Sequence, residues 1–197
     1  NIGFGYQSAL AMTVGDYNTL IGYQTGKALT VGTANVFIGK QAGLKTVDGD
    51  SNIGIGTHAF YNSAGTADYT VAIGYEAMKT GVTTGADNIA IGRVSLEDTD
   101  ALGVGIVTGD KNIAIGTDAG QDMTSGTGNV LMGITAGASL LAGSYNVALG
   151  IGALDVSEAA SNQVAIGSNA MGVGVVTGGT NVAIGANALA DITAGFS

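Results

Sequence analysis

Cysteine, proline and tryptophan are all absent from the 197 residues, and only 11% of the residues are charged. Without cysteine there is no disulfide framework, no thiolate metal site and no cysteine nucleophile, and the redox compartment is left open. Without proline, and with glycine not recurring every third residue, a collagen helix is excluded. Basic residues are scarce: 6 Lys and Arg against 15 Asp and Glu give a net charge of −9. That balance argues against wrapping nucleic acid, whose phosphates need a basic surface. Long apolar runs are also missing; none approaches the ~18–20 residues that span a bilayer. Nor is there a phosphate-cradling G-x-x-x-x-G-K loop or an N-x-[ST] sequon. Disorder is not expected, because 46% apolar content gives the chain ample surface to bury. Glycine is abundant instead: 35 residues, more than twice the average usage of roughly 7%.

The glycines belong to a repeat. The pentapeptide N-V-A-I-G recurs with small variations, for example at Asn35–Gly39, Asn88–Gly92, Asn112–Gly116, Asn146–Gly150 and Asn181–Gly185. Eleven copies close on Gly5, Gly22, Gly39, Gly56, Gly74, Gly92, Gly116, Gly133, Gly150, Gly167 and Gly185. The spacing is 17 or 18 residues throughout, except for one step of 24 between Gly92 and Gly116. Residues 1–197 therefore read as a single repeat array. The first copy starts at Asn1 and the next would start just beyond Ser197, so an excerpt of a longer fibre is expected.

The second residue of the pentapeptide is β-branched in every copy, from Ile2 and Thr19 to Val182, and the fourth is apolar in every copy. β-branching suits a strand, and alternation puts these two positions on one face. They are taken as the inward face, so that Ile115→Asp would place an unpaired charge in the strand core. The third position, with residues such as Leu20, Phe37 and Ala72, is apolar too. A strand apolar on both faces is buried on both. A coil of 17 residues has little chain left to cover the second face, so another copy of the chain is expected to do so. The closing glycine predicts a corner with positive φ or close backbone approach. The small residue three positions later, as at Ala42 and Ala119, predicts a crowded contact. Asn1, Asn18, Asn35, Asn52, Asn88, Asn112, Asn129, Asn146 and Asn181 predict a structural ladder of side-chain hydrogen bonds. The expected fold is all-β: a parallel β-solenoid of about eleven 17–18-residue coils, a rod on the order of 50 Å long.

N-V-A-I-G-x-x-A followed by a glycine-containing polar return resembles the β-roll repeats of trimeric autotransporter adhesin heads. It is even more similar to the slightly longer repeats of bacteriophage tail fibres and related phage-encoded fibre proteins. The resemblance covers the whole chain. It implies a left-handed parallel β-roll, a homotrimer with chains intertwined or side by side, and an extracellular, cell-surface or virion-borne place. The function expected is that of a structural shaft holding binding parts at a distance. The alternative is an adhesin that contacts glycans or a host surface directly. The adhesin repeats are shorter than those seen here. No enzymatic activity and no cofactor are expected.

Ile38–Gly43 fits one hexapeptide of a left-handed β-helix acyltransferase, but the later hexads fail at Asp50, Lys27 and Thr33. The lone His58 has no orienting carboxylate or nucleophile in its own copy, so a structural role is expected. Glu97, Asp98 and Asp100 lie in the long repeat and Asp110 follows; residues 97–110 form the candidate contact loop, because insertions in arrays map to one protruding face. A Ca²⁺ site there, or at Asp48 and Asp50, is conceivable on ligand type, but neither segment carries a calcium-binding motif, and a solvated acidic loop is the expectation. Tyr6, Tyr23 and Tyr75 follow corner glycines; Lys40, Thr57, Arg93 and Ile134 interrupt that column, and packing of the rings in a core or interface is expected. A threonine column for ice binding begins at Thr13 and Thr30 but is broken by Val47.

Overall fold

The computed structural model describes residues 1–62, 67–79, 84–96, 108–155, 159–172 and 180–190. Each pentapeptide contributes one three-residue strand: β1 (Ile2–Phe4), β2 (Thr19–Ile21), β3 (Val36–Ile38), β4 (Ile53–Ile55), β5 (Val71–Ile73), β6 (Ile89–Ile91), β7 (Ile113–Ile115), β8 (Val130–Met132), β9 (Val147–Leu149), β10 (Val164–Ile166) and β11 (Val182–Ile184). All eleven lie in one parallel sheet in sequence order, and the described residues hold no helix. The register follows the repeat, with Val36 opposite Ile53 and Phe37 opposite Gly54. The 24-residue step leaves it intact, since Ile89 pairs with Ile113. The chain is a β-solenoid, as its periodicity requires.

Three columns of the return segment adopt left-handed backbone. Two residues after the corner glycine, Gln24, Gln41 and His58 have φ between 53° and 58°. Four residues after it, Gly26, Gly43 and Phe60 do the same, as do Ala34 and Ser51 immediately before the asparagine. Left-handed backbone costs roughly 1–2 kcal/mol at a non-glycine residue, and the reason it persists is directional. Each such residue turns its N–H along the solenoid axis into a carbonyl of an adjacent coil. Gln41 N–H reaches Tyr23 O at 2.8 Å, Gly43 N–H reaches Ala59 O at 3.0 Å and Ser51 N–H reaches Thr33 O at 2.9 Å. The turns thus continue the ladder that the short strands begin. At the corner no side chain fits: Gly39 has φ +133° and a Cβ there would stand 2.5 Å from Gly56 O.

The core is a file of stacked layers fed by the third strand position and by the residues six and nine positions after it. The third strand position is the inward one: Leu20, Phe37, Ala72, Ala90, Ala114, Leu131, Ala148 and Ala165 are fully buried. The second and fourth positions face outward and are half-buried along most of the sheet. This corrects the expectation that the second and fourth positions, Ile115 among them, point inward. The physical reason is width: a buried column of mostly alanine, Ala42 and Ala119 among it, lines a coil that admits one side chain from each strand, not two.

Volume is shared between the first two of these columns, while Leu29, Met123 and Leu140 stand in the third. Where the third strand position is large, the residue six positions on is glycine: Leu20 with Gly26, Phe37 with Gly43, Leu131 with Gly137. A Cβ at Gly43 would collide with the Phe37 ring, and one at Gly26 or Gly137 would crowd Leu20 or Leu131. Where the strand position is glycine or alanine, the partner is large and buried: Gly54 with Phe60, Ala72 with Met78, Ala90 with Leu96, Ala148 with Leu154, Ala165 with Met171. At Ala114 with Gly120 both are small, and Leu96 and Leu131 from the adjacent coils fill the space.

Candidate functional site: the outward face of the sheet

Stacking eleven strands turns two repeat positions into a continuous outward stripe. None of its twenty-two residues is charged, and Thr19 is the one polar side chain. Within a column each branched side chain rests on those above and below, as Val36 does between Thr19 and Ile53. Neighbours therefore hide the edges of each side chain while its outer surface stays in solvent. Ile2, Phe4, Val182 and Ile184 in the end strands, and Met132 in β8, are exposed outright.

The stripe has two unlike borders. The position after the corner glycine holds Tyr6, Tyr23, Lys40, Tyr75 and Arg93, with no acid in the column. The three tyrosines are exposed in the single chain, not packed in its core, and Tyr6 and Tyr23 stack with ring centroids 5.4 Å apart. Lys40 is exposed, and Arg93 makes a 3.4 Å ion pair with Asp118 one coil on. The border before the strand holds Asp16, Asp50, Asp68, Asp87 and Asp110 against the single cation Lys111.

Polar ladders hold both borders in place. Along the inner edge, Asn18 Oδ1 accepts the Asn35 N–H at 2.9 Å, and Asn35 Oδ1 accepts that of Asn52 at 2.9 Å. Each amide also donates, Asn35 Nδ2 to Gly49 O at 2.7 Å and Asn112 Nδ2 to Gly126 O at 2.7 Å. Asn129 and Asn146 repeat the pattern. Thr70, which has no side-chain amide, accepts nothing from Asn88 in this way, whereas Gln163 Oε1 still accepts the Asn181 N–H at 3.2 Å. Asn1 donates to Gly15 O.

Asp50 and Asp110, expected in solvated acidic loops, build with Asp68 a second ladder of opposite sense. Asp50 Oδ1 accepts the Thr33 N–H at 2.7 Å, Asp68 Oδ1 that of Asp50 at 2.8 Å and Asp110 Oδ1 that of Ala86 at 2.8 Å. Ser144 and Ser161 continue it with hydroxyls. Asp48 is exposed. Glu97, Asp98 and Asp100 lie outside the described residues. Among the described residues no group of three or more His, Asp or Glu is placed to hold a metal ion, and no helix is long and apolar enough to cross a membrane.

A third ladder contains His58. Gln24 Nε2 donates to Gln7 Oε1 at 2.8 Å and Gln41 Nε2 to Gln24 Oε1 at 2.9 Å. His58 Nε2 lies 2.9 Å from Gln41 Oε1, and its Nδ1 lies 3.4 Å from Glu76 Oε1. Lys79 Nζ closes the row on Glu76 at 2.7 Å. Burial pushes the Glu76 carboxyl up, but hydrogen bonds from Lys79, Tyr75 and His58, with the Lys79 charge, outweigh it and hold the group below its ordinary value. Asp155 goes the other way: burial, then the Asp122 charge, raise it against an opposing Ser139 N–H.

Reading each copy alone missed the second and third ladders, because every partner sits one coil away. Aligning the copies on the corner glycine puts Gln7, Gln24, Gln41, His58 and Glu76 in one column. No protein-family model, curated protein or solved structure matches this chain.

Proposed function

We propose that the chain is a structural fibre segment in which copies pack side by side through their outward faces around a shared axis. The number of copies is three, as the resemblance to tail fibres and adhesin heads implies. The reading is non-enzymatic and needs no cofactor; the rod spaces binding or anchoring parts in an extracellular, cell-surface or virion-borne fibre. One observation carries it: an uncharged apolar stripe runs the length of the sheet between borders of opposite charge. A closed ring of parallel copies sets the Lys40 and Arg93 border of one against the aspartate border of the next, whereas antiparallel packing sets like borders together. The dimensions agree. Eleven strands ~4.8 Å apart and a face about 20 Å wide, borders included, give roughly 1,000 Å² per copy, so a closed ring of three gathers roughly 3,000 Å² of face around its axis, within the range of permanent assemblies. The exposed Tyr6–Tyr23 stack favours a second reading, in which the same border meets a glycan or host surface directly.

Sedimentation equilibrium with two variants tests the proposal. The wild type is expected as a single trimeric species. Ile115→Asp, on the outward face, should keep the β-sheet circular dichroism and sediment as a monomer. Ala114→Asp, one residue away and fully buried, should not fold, because an unpaired charge has no place in the file. A folded monomeric wild type at working concentration would overturn the reading.

A further inference from the structure

We propose that the coils of β1 and β11 are a matched pair, and that copies of the chain join head to tail, the β11 coil of one docking on the β1 coil of the next. The joint uses the two ends of the rod and is independent of the side-by-side packing. The way layers fit inside the chain leads to it. In the β7 coil the strand residue Ala114 and its partner Gly120 are both small, and Leu96 from the coil before and Leu131 from the coil after fill the layer. The β1 coil has the same small pair, Gly3 and Ala9, followed by Leu20 in the coil after. It has room to spare. A Cβ at Gly3 meets nothing closer than 3.8 Å, whereas one at Gly54, in the same column, comes within 2.8 Å of the Phe37 ring. What this layer lacks is a large residue from the coil before. The β11 coil carries one: Leu189 stands in the column of Phe60, Leu96 and Leu154, yet it is half-buried where those three are fully buried. Docking sets Leu189 against Gly3 and Ala9, so that Leu189, Gly3–Ala9 and Leu20 reproduce the order of Leu96, Ala114–Gly120 and Leu131.

The backbone edges match as the layers do. Inside the chain the first N–H of a strand donates to the carbonyl before the next strand, as Val36 does to Asn52 O at 2.8 Å. The corner glycine and the residue two beyond it donate back, Gly39 to Ile21 O and Gln41 to Tyr23 O, both at 2.8 Å. At the ends the equivalent groups have no partner among the described residues: the Val182 N–H on one face, and the Gly5 and Gln7 N–H groups on the other. In the joint Val182 N–H donates to Asn1 O of the next copy, whose Gly5 and Gln7 N–H groups donate to Ile184 O and Ala186 O. The corners nest as well. A Cβ at Gly167 stands 2.5 Å from Gly185 O in the next coil, but one at Gly185 meets nothing within 4 Å. Soluble sheets guard such edges with charged side chains or proline; residues 1–15 and 181–190 contain neither. A head-to-tail contact of this kind does not close on itself, so it extends the rod into a filament. The coil end is small, on the order of 300 Å² per copy against the ~800 Å² of a standard partner. The joint therefore forms at concentrations above those of sedimentation equilibrium.

Small-angle X-ray scattering over a concentration series tests this, because it reads length and cross-section separately. The wild type is expected to lengthen from about 50 Å in increments of about 50 Å as concentration rises into the millimolar range, at constant cross-section. Val182→Pro removes the outward N–H of the β11 edge and sets a ring there. It should keep the β-sheet circular dichroism and remain one rod long throughout. Leu189→Ala should lengthen only at roughly tenfold higher concentration. A wild type that stays one rod long up to millimolar concentration overturns the joint. So does a Val182→Pro or Leu189→Ala chain that lengthens at the concentrations of the wild type. Length judges the joint and cross-section judges the side-by-side packing, so the two fail separately.

Discussion

Gln41 and Glu76, which meet the ring nitrogens of His58, come from the coils on either side, while Tyr61 of its own coil meets the ring edge-on. The asparagine, aspartate and glutamine ladders repeat this: their partners stand one coil away, not beside them in sequence. Asp155 shows the cost. It is partly buried and the Asp122 charge of another coil acts on it, so its carboxyl is raised above the ordinary value of 3.8. A raised carboxyl penalises the fold where it is ionised, above its folded value, and the penalty disappears at pH below the unfolded value, where both states are protonated. Asp155→Asn should therefore raise the melting temperature at pH 7 and leave it unchanged at pH 3. Glu76 has the opposite sign: its stabilisation is present above its ordinary 4.5 and is lost as pH falls through the lower folded value. Thermal melts of both forms across this range check the two signs together.

Within one coil, the core element is a pair of columns that share a fixed volume. Phe37 over Gly43 and Gly54 beside Phe60 are two solutions to one packing problem, and the rings of Phe37 and Phe60 stack 5.8 Å apart. Phe37→Ala opens a cavity and should cost about 3–5 kcal/mol. Gly43→Leu alone should also destabilise, since its side chain meets the Phe37 ring. Combined, the two should cost less than either sum, with a residual of roughly 1–2 kcal/mol for placing Leu in left-handed backbone. Denaturant titration of the four proteins gives the coupling energy; strict additivity would show that the two columns do not share space. The pairing is visible in the sequence once the copies are aligned, because large and small residues alternate between two fixed positions. Which of the strand faces looks inward is not visible, because all three strand positions are apolar.

For the whole molecule, stacking makes stability close to a sum over coils. Deleting Asn35–Ser51 joins Ala34 to Asn52 and removes one full turn. Leu20 with Gly26 then lies on Gly54 with Phe60, large against small, as Phe37 with Gly43 did before. The shortened chain should fold cooperatively, with its melting temperature lowered by a few degrees; loss of the β-sheet circular dichroism would show that coils are not interchangeable even where volumes match. The outward stripe loses one layer, with Lys40 and Asp50 from its two borders, and keeps Arg93 on one side and Asp16, Asp68, Asp87 and Asp110 on the other, so assembly should survive the deletion as well.

Repetition let the sequence alone determine the all-β class, the number and parallel order of the strands, their register, the glycine corner and the asparagine column. A strict 17–18-residue period leaves only one way to pair each strand with the next. Tertiary structure decided the rest. It put the third strand position inside, because the alanine-lined coil is too narrow for two side chains per strand, and it left the β-branched columns as an outward surface. It also drew Asp50, Asp68, Gln41, His58 and Glu76 into ladders. Hydrogen bonds in a solenoid run along its axis, at right angles to the chain, and a reading that follows the chain crosses each ladder only once per turn.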